Sequence, residues 1–394
     1  MKLLVCNAGS TSLKFKLFEM PAEAVLAEGK VERVGTDNAI FHFSKPDGFR
    51  IYKEGLSVPT YTEGIQLFLD RILDKEDGVL ESLKELERVG FKTVLSKDHY
   101  GIHELNDDVL QGMEDYMVVA PAHNKPYLEA IRIFQKLTPD AMLVGAFETA
   151  FHRTIPEERC IYGIPYEWTV KYGIRRRGYH GASHSYVAET LAEKYGSTGK
   201  AVSCHLGGSG SLCAIDDGKS VDTSFGLSLQ VGVIQSNRCG DLDPFIIPFM
   251  QKNGLSIDDV TEGLTKKGGL LGISGVSNDL RDVQEAADAG NERAKLAIDV
   301  FVNGIVRYIG SYYAELGGLD HLVFTGGIGE HGTVVRKKVC DCLKHMGVLL
   351  DDQKNDGCDG SYTVISKNDS PVTVHVIPAN EELGVARKTY AYGR

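Results

Sequence analysis

The sequence lacks the features that an oxidising or membrane environment requires. None of its eight cysteines forms a C-x-x-C pair, and their spacing matches neither a zinc site nor a disulfide scaffold. Cys6 and Cys204 stand in apolar runs, where a buried free thiol is the simplest interpretation. No run approaches the roughly 18 apolar residues of a membrane span, and the apolar start of the chain is too short for a signal peptide. We therefore expect a cytoplasmic protein with no membrane partner.

Positive charge is also scarce. The chain has 43 Lys and Arg against 54 Asp and Glu, a net charge of −11. Because a duplex nucleic-acid binder normally has a basic surface, we expect no nucleic-acid partner, although a local positive site for phosphate remains compatible with this balance. The G-x-S-x-G pattern of a hydrolase nucleophile is absent. His99, His103 and His123 have no partner at metal-ligand spacing.

Glycine, by contrast, is abundant, and its 44 residues cluster after apolar runs. Residues 2–18 have the pattern of a strand, a turn of small residues and a second strand. Residues 201–223 repeat this order, with a hairpin turn signal at Asp216-Asp217-Gly218. This repetition half a chain apart indicates an internal duplication, although such segments also recur by chance in α/β proteins.

The remaining patterns predict an α/β fold of two domains. A strand at 322–324 leads into the glycine-rich segment 325–330, and apolar residues recur at helical spacing over 128–137, 186–195 and 298–316. Strands that alternate with helices are typical of α/β folds. At about 150 residues per domain, 394 residues predict two domains, and we place the boundary near residue 150.

The glycine-rich segments are candidates for phosphate binding. In residues 7–14, glycine allows close approach of the backbone, hydroxyls and Lys14 offer donors, and the carbonyl of Asn7 could hold a magnesium-bound water. Residues 207–211 are a second candidate. Residues 217–220 are similar to the end of a Walker A motif, but Cys213 stands where that motif requires a glycine and excludes it. Residues 325–330 could admit a nucleotide. Ordinary turns would explain the same compositions.

Several cations stand beside glycines. His180 and Arg238 could stabilise the equatorial oxygens of a transferring phosphoryl group. Because glycines flank both residues, we expect accessible side chains. Arg175-Arg176-Arg177 is compatible with the same role, but a solvated basic run is the simpler interpretation.

The segments 7–14 and 177–184 are similar to motifs of the acetate kinase family, within the sugar kinase/Hsp70/actin superfamily. Further similar segments follow in family order at 238–240, 277–281, 327–330 and 378–382. The resemblance implies two duplicated actin-like (ribonuclease H-like) domains flanking a nucleotide cleft. Residues 1–150, joined by about 383–394, would form the acceptor domain, and residues 151–382 the nucleotide-binding domain.

The resemblance also implies a reaction and its residues. ATP, with Mg²⁺, would phosphorylate a short carboxylic acid reversibly, giving ADP and an acyl phosphate, and the enzyme would be a homodimer. The implied catalytic residues are Glu148, His180 and Arg238. The implied acceptor contacts are Lys92 and His123, and the implied magnesium-associated residues are Asn7 and Glu381. The implied nucleotide and phosphate contacts are Lys14, Ser10, Ser12, His205, Gly207, Gly208, Ser209, Asp279, Leu280, Arg281, Gly327, Ile328, Gly329 and Glu330.

The acceptor side departs from the family pattern. Lys92 stands where the family has an arginine, so a bidentate fork is lost, and Glu148 stands where the family has an aspartate. Residues 228–233 also lack the Pro-Leu-Glu-Gly of the family. These changes leave open which carboxylic acid is the acceptor. The alternatives are an enzyme for another acceptor, with Glu148 as general base, an enzyme that consumes an acyl phosphate, or a catalytically altered nucleotide-binding homologue.

Overall fold

The chain forms two compact units. Unit 1 comprises Met1–Ala150 and Asn380–Arg394, and unit 2 comprises Phe151–Ala379. The computed structural model describes residues 1–9, 11–117 and 121–394. Residues 121–123 are described by their backbone alone. The two-domain assignment made from the sequence, with its acceptor and nucleotide roles, stays a prediction.

Within the described residues, unit 1 contains an eight-stranded sheet in the order β5-β4-β3-β2-β1-β6-β8-β7. The strands are β1 (Lys2–Ala8), β2 (Ser12–Glu19), β3 (Ala24–Glu32), β4 (Thr36–Ser44), β5 (Arg50–Val58), β6 (Leu86–Phe91), β7 (Ile102–Glu104) and β8 (Met142–Ala146). Strand β6 is parallel to both β1 and β8, and the other neighbours are antiparallel. The strand–turn–strand predicted over residues 2–18 is confirmed as β1 and β2.

Three helices of unit 1 precede its last strand: α1 (Tyr61–Ile72), α2 (Asp107–Asp115) and α3 (Pro121–Leu137). A capping box of Thr60 and Glu63 satisfies backbone groups at the start of α1. Phe68 of α1 stacks on Phe15 of β2 with ring centroids 4.5 Å apart. Gly29 of β3 makes this packing possible, because a Cβ there would collide with the ring of Phe68.

Unit 2 contains, in its described residues, a six-stranded sheet in the order β11-β10-β9-β12-β14-β13. The strands are β9 (Lys200–His205), β10 (Ser211–Asp216), β11 (Lys219–Thr223), β12 (His321–Thr325), β13 (Thr363–Val364) and β14 (Thr373–Val376). The helices are α4 (Glu157–Cys160), α5 (Tyr166–Tyr172), α6 (Gly181–Tyr195), α7 (Ile246–Lys252), α8 (Ile257–Lys266), α9 (Gly269–Ser274), α10 (Leu280–Asp288), α11 (Glu292–Leu316), α12 (Gly326–His331), α13 (Thr333–Cys342) and α14 (Asp352–Asp356).

The two sheets share one topology. The order β3-β2-β1-β6-β8 in unit 1 matches β11-β10-β9-β12-β14 in unit 2. In both, an antiparallel meander of three strands is followed by two strands parallel to the first. The predicted duplicated α/β architecture is therefore confirmed.

Two predicted helices begin earlier than their apolar periodicity indicated. Helix α6 starts at Gly181 rather than near residue 186, because small buried residues fill its first turn. Helix α11 starts at Glu292, where the side chain of Asn291 caps it, and ends before the left-handed Gly317. Its residues Ile298, Phe301 and Ile305 belong to the main core of unit 2.

The last helix, α15 (Glu381–Ala391), follows β14 in the chain and belongs to unit 1. Its Val385 and Ala386 pack with Leu3 and Val5 of β1. In the described part of the chain, no helix is both long and apolar enough to span a bilayer.

Candidate active site

Unit 1 gathers four of the predicted site residues at one edge of its sheet. Asn7 is the penultimate residue of β1, Lys92 follows β6, and Glu148 comes two residues after β8. These three strands are parallel, so their carboxyl ends meet at the same edge, where α/β sheets bind ligands. Glu381 begins α15, which packs against the same strands.

The ammonium of Lys92 lies between two carboxylates. Its Nζ is 2.7 Å from Glu381 Oε2 and 3.3 Å from Glu148 Oε1. The three side chains are at most 14% exposed. Nearby, the hydroxyl of Tyr127 donates a hydrogen bond of 2.8 Å to Asn7 Oδ1 and so orients this carboxamide. Tyr127 was not predicted as a site residue, because its place in the apolar pattern of α3 indicates only burial in the core.

Burial and the neighbouring charges both shift the pKa values of Lys92 and Glu148. Burial alone would lower the pKa of Lys92, but Glu148 and Glu381 raise it, and the side chain stays an ammonium. Burial, together with the neighbouring charge of Glu381, raises the pKa of Glu148 to about 7, although Lys92 opposes this. Two carboxylates share one ammonium, so Glu148 can hold a proton near neutral pH.

The first glycine-rich segment closes the hairpin between β1 and β2. The amide of Gly9 donates to the carbonyl of Ser12 at 2.8 Å, and Asn7 pairs with Lys14 across the ladder. The side chain of Lys14 is exposed on β2. Ser10 and the side chain of His123 lie outside the described residues, so their predicted roles stay predictions.

In unit 2, His180 lies at the start of α6 in a left-handed backbone conformation, with φ of 56°. A non-glycine residue in this region costs roughly 1–2 kcal/mol, and such strain concentrates at functional sites. The expected accessibility of His180 is wrong. Its side chain is only 7% exposed, since it packs against the rings of His205 and Phe225.

A chain of serine hydroxyls and histidine rings holds His180. Ser211 Oγ lies 2.9 Å from His180 Nδ1 and 3.0 Å from His184 Nε2. The other nitrogen of His184 contacts Ser203 Oγ at 2.9 Å. Burial lowers the pKa of His184 well below its usual range, so this ring stays neutral. Ser211 therefore fixes the orientation of His180, whereas its sequence context predicted only a place in the phosphate-binding candidate 207–211.

Arg238 is tied to the second glycine-rich segment. Its Nη1 donates to Ser209 Oγ at 3.1 Å and to Gln235 Oε1 at 3.0 Å, and Ser209 itself donates to Gln235 at 2.8 Å. Burial lowers the pKa of Arg238, but an arginine remains charged. The structure thus joins Arg238 to the turn predicted to hold phosphate, in agreement with a shared role.

The solvated basic run predicted for residues 175–177 is wrong. All three arginines are partly buried. Arg176 donates to the carbonyls of Thr223 and Arg159, at 2.5 Å and 3.1 Å, and its pKa is raised by Asp222 although burial opposes this. Arg176 therefore holds the sheet and its neighbouring loop together.

The third glycine-rich segment packs against Leu206, the residue that precedes the second segment in unit 2. The amides of Ile328 and Gly329 donate to the carbonyl of Leu206, at 2.8 Å and 3.1 Å. Gly326 has φ of 75°, and a Cβ there would lie 2.8 Å from that same oxygen. Segment 325–330 is therefore a tight strand-to-helix turn, and its predicted nucleotide role stays a prediction. The turn also orients Glu330, whose carboxylate accepts from the amide of Ala379 at 2.8 Å.

A cavity of about 410 Å³ lies between α10 and the residues that follow the third glycine-rich segment. Leu280 and Arg281 line it from α10, and His331, Thr333 and Val334 line it from the region after β12. Asp279 caps α10 and pairs with Arg281 at 2.6 Å. Asp279, Leu280 and Arg281 were predicted from the sequence, whereas Gln284, which lines the cavity, was not. Its helical spacing from Arg281 was the available signal.

The comparison with known families agrees with this geometry. The model of the acetokinase family matches residues 2–387. This chain belongs to the acetokinase family. An acetate kinase of Geobacillus kaustophilus is 45% identical over 391 residues, which cover 98% of each chain.

Solved structures of the acetokinase family share the fold. The crystal structure of acetate kinase from Porphyromonas gingivalis has a TM-score of 0.91 and 38% identity and covers 100% of both chains. That of a propionate kinase from Francisella tularensis has a TM-score of 0.91 and 35% identity and covers 99% of both. The predicted family and its duplicated actin-like fold are confirmed. The alternative functions left open by the acceptor side are not favoured.

Proposed function

We propose that this member of the acetokinase family transfers the γ-phosphoryl group of ATP to acetate, giving ADP and acetyl phosphate, and that the reaction is reversible. The main support for a carboxylate acceptor is the buried ammonium of Lys92, which lies between Glu148 and Glu381. When Glu148 holds its proton, this ammonium faces one carboxylate fewer and can pair with the carboxylate of a small acid. The acid itself is ionised at pH 7 and needs little base catalysis.

The work of the enzyme is then positioning and charge neutralisation. His180 and Arg238 are the proposed stabilisers of the phosphoryl oxygens. The Nδ1 atom of His180 faces Ser211, so the ring would address the phosphoryl group through Nε2. Arg238 would act through a guanidinium that Ser209 and Gln235 already orient, which limits reorganisation during transfer.

The nucleotide would lie in unit 2. The cavity lined by Leu280, Arg281 and Val334 offers an apolar wall with a cation beside it, which fits a base and its ribose. The phosphates would contact the turn at Gly207, Gly208 and Ser209 and the backbone at Gly327 to Gly329. Lys14, Ser10 and Ser12 of unit 1 are the further phosphate contacts that the family resemblance proposes.

The Mg²⁺ that the family resemblance implies would be held by Asn7 and Glu381. Amide and carboxylate oxygens suit this ion, which usually keeps several waters and binds through one or two carboxylates together with phosphates. Both residues belong to unit 1 and stand at the same sheet edge, so the donor set fits. When bound, the ion would neutralise negative charge on the phosphate oxygens.

A homodimer is the proposed assembly, in the cytoplasm. Large apolar side chains are exposed on short helices of unit 2, among them Trp168 and Val170 of α5 and Phe249 of α7, at 51%, 68% and 64%. Exposed apolar patches commonly mark protein–protein contacts. Sedimentation analysis of the purified chain tests this, and a monomer at micromolar concentration would contradict it.

The acceptor role of Lys92 is tested by steady-state kinetics with acetate and ATP. We expect Lys92→Met to lose at least about 100-fold in kcat/KM, with KM for acetate raised and KM for ATP little changed. Lys97→Met removes an exposed lysine whose ion pair with Asp115 is 3.6 Å long and serves as the matched control. Equal KM for acetate in Lys92→Met and wild type would overturn this assignment.

A further inference from the structure

Unit 1 carries a second cavity, of about 500 Å³, on one face of its sheet. Its polar lining comes from the meander β2–β5 and from the start of α15. The cationic side chains are Lys14, Lys16, Lys30 and Arg50. The carboxylates are Glu28 and Glu382. Apart from Lys14, none of these residues has a part in the proposed phosphoryl transfer.

The strand registers arrange the lining in two rows, because alternate residues of a strand point to the same face. One row runs across the four strands through Lys14, Lys30, His42 and Tyr52. The other row runs through Lys16, Glu28, Ser44 and Arg50. The cavity is thus part of the regular sheet surface rather than a gap between mobile loops.

The first row brings like charges together. Lys14 stands directly opposite Lys30, and His42 stands on the other side of Lys30. Like charges in directly opposed positions destabilise a sheet. Glu32 compensates only one of the two ammonium groups, since its carboxylate pairs with Lys30.

In the second row, the positive charge is paired with a carboxylate only at Lys16. Lys16 pairs with Glu28 at 2.9 Å. Among the ion pairs of the described residues, neither Lys14 nor Arg50 takes part. The lining combines four cations with two carboxylates, and the carboxylate of Glu32 beside Lys30 leaves an excess of one positive charge, in a chain whose net charge is −11. A local excess of positive charge against such a background fits a bound anion.

We propose that this cavity binds a small anion with two or more phosphate or carboxylate groups. One group would bridge Lys14 and Lys30, which stand on neighbouring strands about 4.8 Å apart, and another would pair with Arg50. Because Lys14 is also a proposed phosphate contact of the kinase reaction, the anion would compete for its ammonium and inhibit turnover. This last consequence rests on the proposed function, whereas the binding itself does not.

Calorimetric titration of the full-length protein at constant ionic strength tests the binding. Pyrophosphate and tripolyphosphate represent the phosphate source, citrate represents the carboxylate source, and acetate is the monovalent control. We expect at least one polyanion to bind with one site per chain. Lys30→Gln and Arg50→Gln should each weaken it about tenfold, the loss of one charge-assisted contact. Lys53→Gln removes an exposed cation of β5 that does not line the cavity and should leave affinity unchanged.

Two results would overturn the proposal. One is that none of the three polyanions binds below about 1 mM. The other is binding that is abolished by saturating ADP but has the same affinity in wild type, Lys30→Gln and Arg50→Gln. This combination would place the anion in the kinase site. The turnover of wild type and of all three variants without polyanion, measured separately, reports on the proposed function alone and should be equal.

Discussion

Lys92 and Glu381 are 289 residues apart in the sequence, yet Lys92 Nζ donates a hydrogen bond of 2.7 Å to Glu381 Oε2. This contact ties the C-terminal helix α15 to the strand end of β6 within unit 1. Since both side chains are only 14% exposed, the pair is shielded from water. The same ammonium serves Glu148, so a single lysine balances two buried carboxylates.

Removal of this ammonium should therefore destabilise the protein. We expect Lys92→Met to lower the free energy of unfolding by about 3 kcal/mol, because it leaves buried carboxylates without their counter-charge. Urea denaturation at pH 7.5 measures the change. Lys97→Met, at an exposed ion pair, should cost less than about 1 kcal/mol. Equal costs for the two variants would show that the buried pair contributes no more than a surface one.

The stability of the wild type should depend on the proton held by Glu148. Burial raises the pKa of Glu148 to about 7, above its usual value of 4.5, so the folded state binds this proton more tightly than the unfolded state. This contribution is complete below about pH 4.5 and is lost as the pH rises through about 7.

Glu148→Gln removes that dependence. We expect wild type to lose stability relative to Glu148→Gln, by about 1–3 kcal/mol, between pH 5 and pH 8. Denaturation curves of both proteins at several pH values measure the difference. A difference that stays constant, or that favours wild type as the pH rises, would contradict the assigned protonation.

Ser211 should act as a positioning residue for His180. Ser211→Ala removes the hydroxyl between His180 and His184, and we expect kcat to fall about 10- to 100-fold with little change in either KM. The matched control is Ser366→Ala, which deletes another buried hydroxyl of unit 2, bonded to the amide of Val374 at 3.1 Å. If both variants lose stability but neither loses kcat, Ser211 has only a structural role.

Arg238 should carry a larger share of catalysis. Arg238→Gln keeps a polar side chain but removes the charge, and we expect kcat to fall about 1,000-fold. Arg293→Gln is the control, since Arg293 also donates to carbonyls of unit 2, at 2.8 Å and 3.0 Å, but lies away from Ser209 on α11. Comparable turnover for Arg238→Gln and Arg293→Gln would remove Arg238 from the mechanism.

The sequence predicted those parts of the fold that depend on neighbouring residues. Alternation at Leu13, Phe15 and Leu17 marked β2, and the helical spacing from Ile298 to Leu316 marked α11, because both patterns record burial along one element. The glycine at 326 marked the turn after β12, since the backbone there adopts a positive φ.

Contacts between distant segments were beyond such reasoning. Nothing in the surroundings of Lys92 shows that Glu381 lies beside it, and nothing near His180 shows that Ser211 holds its ring. His180 was expected to be accessible because glycines flank it, but the packing of His205 and Phe225 from other segments buries it. The residues that carry charge were identified from sequence, whereas the residues that orient them were not.

We propose that Lys92, His180 and Arg238 serve the phosphorylation of acetate by ATP. Acyl phosphate trapped with hydroxylamine, with ATP and Mg²⁺ against acetate, propionate, butyrate and bulkier acids, tests it most directly. We predict turnover with acetate, and its loss in Lys92→Met. Absence of acyl phosphate from every acid, in protein that still binds ADP, would contradict the claim.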